Sequence, residues 1–181
     1  RDGHVRECHG DLHTGNMLWT EGGPVFFDGI EFNDWFRCID TMDEVAFLLM
    51  DLAAKGRRDL GFLVLDRILE ATGDYEGVEL LRFYAVYRAI VRAKVALFRV
   101  VLADHSASKS GILASLDAFC RYLDLAMQFA RPPAPTLLLM HGLSGAGKST
   151  LARSLVGPMG AIRVSSDTVR KCLFAHDPGA S

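Results

Sequence analysis

Gly142-Leu143-Ser144-Gly145-Ala146-Gly147-Lys148-Ser149-Thr150 leaves the last quarter of this chain few ways to fold. Its glycines let successive backbone N–H groups turn toward one point. The apolar run before it, Thr136 to Met140, reads as a buried parallel strand. Leu151 to Leu155 reads as helix. Strand, glycine loop and helix in that order make a phosphate cradle, because free amides and the positive end of the helix dipole both favour an anion.

The spacing Gly142-x-x-x-x-Gly147-Lys148-Ser149 satisfies the Walker A pattern in the context that the pattern requires. Its expected ligand is ATP, held by Gly142, Ser144, Gly145, Ala146, Gly147, Lys148, Ser149 and Thr150. Lys148 would reach the β- and γ-phosphates and the Ser149 hydroxyl would bind Mg2+. Ala161 to Val164 reads as a second strand, ending in Ser165-Ser166-Asp167 before a helix opened by Thr168 to Lys171. Asp167 at that strand end is placed to cap the helix.

A second constellation lies at the other end. His9-Gly10-Asp11-Leu12-His13-Thr14-Gly15-Asn16 precedes Met17-Leu18-Trp19, a Gly-Gly-Pro turn and Val25-Phe26-Phe27-Asp28. Two short apolar strands around that turn predict a β-hairpin, which folds Asp28 back beside Asn16. The set Asp11, Asn16 and Asp28 is what a protein needs to orient a hydroxyl and hold Mg-ATP: Asp11 as catalytic base, Asn16 and Asp28 as oxygen ligands of Mg2+. One Asp or one Asn alone would read as a turn residue; the ordered set reads as a site. Residues 1–8 read as the end of a helix or strand, with Val5 and Cys8 packing inward, and His13 is left open.

Ile30 to Asp40 reads as a short loop of aromatic and acidic residues. Asp40 and Asp43 stand at a helix start, where they would cap backbone N–H groups and favour the dipole. Apolar periodicity then predicts helices over 44–54, 59–71, 79–103 and, after the polar break 104–111, about 112–130. On the long helix Arg88, Arg92 and Arg99 fall within about 40° of one another, an anion-binding stripe or a solvated, ion-paired face. Pro132, Pro133 and Pro135 cannot continue a helix, which places the domain junction at 132–135, between units spanning 1–131 and 136–181.

Bulk properties narrow the partners. The chain has 181 residues, half of them hydrophobic and 23% charged, so it is globular. A net charge of -2 gives no electrostatic case for nucleic acid. Cys8, Cys38, Cys120 and Cys172 are far apart, which argues against a zinc site or disulfide framework and for reduced thiols in a cytoplasmic protein. No apolar run reaches the ~20 residues of a membrane helix, and the nearest candidate, 80–102, is broken by arginines. The chain opens without Met just before one loop and stops soon after the other, so it is expected to be an internal fragment.

The loop H-G-D-x-H-x-x-N followed by Phe27-Asp28-Gly29 resembles the aminoglycoside phosphotransferase and choline kinase branch of the kinase-like fold, which aligns Asp11 and Asn16 with the base and metal ligand of kinase loops and often has, where Asp40 and Asp43 stand, an Asp that braces the catalytic loop. Ser166-Asp167-x-x-Arg170 resembles the polynucleotide 5'-hydroxyl kinase and gluconate kinase-like group. There the Asp is the base and the Arg holds substrate or phosphate. Taken together, the order of motifs resembles bacterial fusions of an aminoglycoside phosphotransferase-like domain with a P-loop kinase or ATPase. The resemblance implies an α+β chain: a mostly helical kinase-like C-lobe, then the start of an α/β P-loop domain. It implies ATP and Mg2+ as cofactors and transfer of the γ-phosphate to a hydroxyl of a small molecule. A nucleotide sensor with an accessory kinase-like unit, or a polynucleotide kinase in the P-loop half, are the alternatives. The fragment alone is expected to be inactive.

Overall fold

The structure, a computed structural model, describes residues 3–102, 108–131 and 134–174, with 171–174 described by backbone only. Short antiparallel strands at the start give way to a helical body. Strand β1 (Val5–Glu7) leads into the loop 8–16, then β2 (Met17–Thr20) and β3 (Gly23–Phe26) come next. A short helix α1 (Asp34–Arg37) and β4 (Cys38–Asp40) precede the helices α2 (Thr41–Ala54), α3 (Arg58–Thr72), α4 (Val78–Val101) and α5 (Lys109–Ala130). Among the described residues, α6 (Lys148–Met159) and α7 (Ser166–Phe174) come last.

The hairpin forms as its sequence predicts. Met17 faces Phe26 and Thr20 faces Gly23 around a tight turn at Glu21-Gly22, and the Thr20 hydroxyl donates to the Gly23 carbonyl at 2.9 Å. Segment 30–40, read as a loop, is more ordered than that. Asn33 caps α1 by accepting from the Trp35 amide, and β4 pairs antiparallel with β1, Val5 opposite Asp40. That pairing turns Val5 outward, at 53% exposure, so its expected inward packing does not hold; Cys8 is half-buried.

Helix α2 is the centre of the body. Met42 to Asp51 are all buried, and the helix packs on both α3 and α4. Asp40 caps it by accepting from the Met42 amide at 2.8 Å, whereas Asp43 turns away from the cap. The core joins Phe47, Leu49 and Met50 of α2 with Leu65 and Leu69 of α3, Leu81, Ala85 and Ala89 of α4, and Leu125 of α5. Helix α3 stops at Gly73, whose φ of 72° is the left-handed conformation that glycine adopts without strain. Helix α5 starts three residues earlier than its periodicity suggests, because the Ser108 side chain accepts from the Gly111 amide. Ala103 and much of the polar break, like Pro132 and Pro133 of the junction, lie outside the described residues.

The second half departs from expectation in one respect. Neither 136–140 nor 161–164 is a strand; Leu137 and Leu139 are 82% and 78% exposed. A parallel strand needs a ladder beside it. The segment expected to supply that ladder is held elsewhere: Arg163 donates to both carboxylate oxygens of Asp66 on α3, at 2.9 and 3.1 Å. Helix α6 lies on α3 as well, with Val156 only 1% exposed and the Gly157 backbone close to the Asp59 carbonyl. Among the described residues the result is mixed, helices with two small two-stranded sheets.

Candidate functional site

The loop 9–16 is laid along one face of α2. Glu44 accepts from the His9 amide (3.0 Å) and the Gly10 amide (3.1 Å). Phe47 meets the His13 ring, with centroids 5.7 Å apart. Asp51 accepts from the Thr14 amide (2.9 Å) and hydroxyl (2.6 Å). Positions 44, 47 and 51 are spaced to stack on one side of a helix, so one rigid element sets the path of the whole loop.

The Gly10 backbone is gripped at both ends. Glu44 holds its amide, and the Arg88 guanidinium donates to its carbonyl at 3.1 Å. Gly10 has φ of 79°, and a Cβ there would stand 2.7 Å from the Phe36 carbonyl oxygen, so only glycine fits. Arg88 is itself fixed by Asp43 at 2.6 and 2.8 Å and lies over the Phe47 ring.

Asp11 is next, with its carboxylate turned into a polar triangle. Asn16, buried at the base of the loop, donates from Nδ2 to the Asp11 carbonyl (3.1 Å) and carboxylate (3.2 Å). His13 Nε2 lies 3.5 Å from the same carboxylate oxygen. The tautomer is set by the other ring nitrogen: His13 Nδ1 accepts from the Gly15 amide at 3.0 Å, so the proton sits on Nε2 and points at Asp11. The hydrogen bond from His13 holds the Asp11 carboxyl below the usual range against the opposing effect of burial, with Asn16 and the Arg92 charge adding to it. Asp11 is therefore ionised at neutral pH. His13 is part of the Asp11 setting, and its role was invisible until the Gly15 amide fixed its tautomer.

His9 reaches the other strand. Its Nε2 bonds the Phe27 carbonyl at 2.8 Å, and its own carbonyl accepts from the Ile30 amide at 2.8 Å. With the Phe27 amide donating to the Asn16 carbonyl at 3.1 Å, the end of the hairpin is tied to both ends of the loop. Asp28 lies just beyond, exposed, with φ of 61°, the only non-glycine among the described residues in the left-handed region. Asn16 and Asp28 are thus carried by connected elements. No cluster of three or more His, Cys, Asp or Glu side chains that could hold a metal exists among the described residues. Two oxygen donors suit Mg2+, which keeps water and phosphate oxygens in its remaining positions.

Sequence reasoning missed the acids that hold the loop. Burial pushes the Glu44 carboxyl up, against the pull of the two amides. Burial would also raise Asp51, but the bonds from Thr14 and the Lys55 ammonium outweigh it and hold Asp51 low. Lys55 bridges Asp51, at 3.3 Å, and the Thr14 hydroxyl. The available signal was Glu44 and Asp51 at helical spacing inside a mostly apolar helix.

The glycine loop at 142–150 is exposed apart from the half-buried Lys148. Gly145 and Gly147 have φ of 80° and 79°, and Gly147 sits immediately before α6, so the helix starts at Lys148 rather than at Leu151. Lys148 folds back over the loop, its Nζ donating to the carbonyls of Gly142 (2.8 Å) and Leu143 (2.5 Å). Ser144, Gly145, Ala146, Ser149 and Thr150 surround that ammonium in sequence, with Ser149 and Thr150 in the first turn of α6. Asp167 and Arg170 lie in the first turns of α7 and pair with each other at 2.5 Å.

Residues 137–181 match the AAA domain family. The match supports a P-loop, nucleotide-binding module of kinase-like type in this part of the chain. The chain is also 36% identical, over 173 residues, to an uncharacterized protein of Mycobacterium bovis and to two of Mycobacterium tuberculosis. The similarity covers 96% of this chain and 33% of each relative, so the chain spans about a third of the length of the curated relatives it matches. No solved structure matches it. No helix among the described residues is long and apolar enough to cross a membrane.

Proposed function

We propose that the chain carries the catalytic loop of an ATP-dependent phosphotransferase of the aminoglycoside phosphotransferase and choline kinase type, followed by a second, P-loop kinase module. In the first site the hydroxyl oxygen of a small-molecule acceptor attacks the γ-phosphorus, the bond from that phosphorus to the β,γ-bridging oxygen breaks, and ADP leaves. The hydroxyl proton passes to the Asp11 carboxylate. Because that carboxylate is a weak base, its larger contribution is to align the hydroxyl for attack, with proton transfer late. Asn16 presents its amide nitrogen to Asp11, which leaves its carbonyl oxygen for Mg2+ together with Asp28. The ion would neutralise phosphate charge. The strained backbone of Asp28 supports that role, since left-handed non-glycine residues gather at functional sites.

In the second module Lys148 and the amides of Ser144 to Thr150 hold the phosphates. Ser149 takes Mg2+, and Asp167 with Arg170 receives the acceptor. The intracellular setting and a small-molecule acceptor belong to the same proposal.

The observation that carries the reading is the single hydrogen-bonded unit of Asp11, His13 and Asn16, on a loop fixed by buried charges. Turn residues without a task do not need such support. The test is γ-phosphate transfer from labelled ATP by the full-length protein, with Asp11→Asn and Lys148→Ala variants in parallel. Loss of a different labelled product in each variant is the expected result. If only Lys148→Ala matters, the reading of Asp11 is wrong.

A further inference from the structure

Beside the loop, between the end of α2 and the C-terminal half of α5, lies a cleft of about 530 Å³, lined by Ala53, Lys55, Arg121, Tyr122, Asp124 and Gln128 among others. Its size fits a small metabolite. It adjoins the loop through Lys55, whose ammonium bonds the Thr14 hydroxyl three residues beyond Asp11. Tyr122 connects it to a second cation. The Arg92 guanidinium lies 5.6 Å from the Tyr122 ring, and its Nε is buried with no hydrogen-bond partner. Among the described residues Arg92 makes no ion pair, unlike Arg88 one turn before it.

The charges sort into two kinds. Lys55 is committed to the buried Asp51. Arg121 pairs, among the described residues, only with Asp117 at 3.3 Å, the two side chains 70% and 67% exposed, an arrangement that water weakens and a ligand can displace. Among the described residues Arg92 has donors and no paired anion. Asp124 and Gln128 offer hydrogen bonds suited to hydroxyls, and the Tyr122 ring offers a flat apolar wall. The Arg121 guanidinium in the lining, with Arg92 against the Tyr122 ring and one carboxylate and one amide beside them, suits a molecule that is both hydroxylated and acidic.

Resting on the proposed phosphotransferase reading, we infer that this cleft holds the phosphoryl acceptor and that the acceptor is a polyhydroxylated small molecule bearing an anionic group, received by Arg92 and Arg121.

The experiment compares four acceptor sets with the full-length protein and ATP: carboxylates (gluconate, glycerate), phosphates (glucose 6-phosphate, glycerol 3-phosphate), neutral polyols (glucose, glycerol) and amines (glucosamine, choline). Transfer is monitored by phosphorus NMR, and binding of labelled gluconate and glucose 6-phosphate is measured on Asp11→Asn. The expected result is a kcat/KM about tenfold or more above the neutral set for one acidic set, with Arg121→Gln raising KM for that set by a similar factor and leaving kcat near its starting value. Arg92→Gln is expected to weaken it further, and Arg92→Lys to restore part of it. Whether the carboxylate or the phosphate set responds identifies the acid. Preference for neutral or amine acceptors, or a KM indifferent to Arg121→Gln, overturns the inference. Acid binding that depends on Arg121 without transfer to any set keeps the cleft and overturns the phosphotransferase reading. Absence of both transfer and binding overturns the inference.

Discussion

Arg88 on α4 donates from Nε and Nη2 to the two carboxylate oxygens of Asp43 on α2, and its remaining nitrogen reaches the Gly10 carbonyl. Both side chains are 9% exposed. Through this pair the helix packing of the body is transmitted to the backbone immediately before Asp11. Removing one partner strands a buried charge, so Arg88→Met is expected to cost about 3–5 kcal/mol in denaturant unfolding. Asp43→Asn combined with it should cost less than the two single changes summed, because the pair acts as one unit. Strictly additive losses would show that the two residues are not coupled.

Asp11→Asn keeps the size of the side chain and an oxygen for Asn16 to donate to. Phosphoryl transfer at the first site is expected to fall about 10²–10⁴-fold, with unfolding midpoint and ATP affinity near those of the parent. Steady-state kinetics beside a thermal melt separates these effects. Unchanged kcat would remove Asp11 from the reaction.

Acid should loosen the loop through Asp51. Its folded pKa lies below its unfolded value, so the unfolded chain binds the proton more readily. That contribution is complete above the unfolded carboxyl range and is lost as pH falls below about 5. Glu44, with its carboxyl pushed up, has the opposite sign: its contribution is complete below the unfolded range and lost as pH rises. Asp51→Asn is therefore expected to lower stability at pH 7 and to flatten the decline between pH 5 and pH 3, in urea titrations at each pH. An unaltered acid limb would show that Asp51 is not a source of it.

Cys8 lies between β1 and the loop, where burial first, and the Glu44 charge second, push its thiol up to about 11. The thiolate is the reactive form, so iodoacetamide at pH 8 should modify Cys8 far more slowly than the exposed Cys38 and Cys120. Peptide mass mapping of a timed reaction decides it. Comparable rates at all three would mean that the loop opens often enough to expose Cys8.

How much of this was legible varies with the type of signal. The hairpin and the helices α2 to α4 come from period and turn residues, which act locally. The start of α6 moved because Gly147 can supply the left-handed residue before a helix, a property the pattern of apolar residues does not carry. Leu137 to Leu139 have the composition of a buried strand, yet strand formation depends on a partner, and Arg163 is drawn to Asp66 across 97 positions of sequence. Arg88, Arg92 and Arg99 share a helix face by spacing, but spacing cannot show that Arg88 is buried under the loop while Arg99 is exposed. Glu44 and Asp51 lie within the apolar helix α2, and their purpose exists only once the loop lies across them.

The docking of α6 on α3 bears on how the chain can be divided. Val156 belongs to the same core as Phe47 and Leu65, and Arg163 ties the segment after α6 to Asp66. Severing the polypeptide at the proline-rich stretch would not release two finished pieces. It would open a groove on α3, with Phe62 and Leu63 uncovered and a carboxylate left at its base without its cation. The proline stretch separates the two motifs in sequence, but the helical body is completed by α6 and Arg163 from its far side.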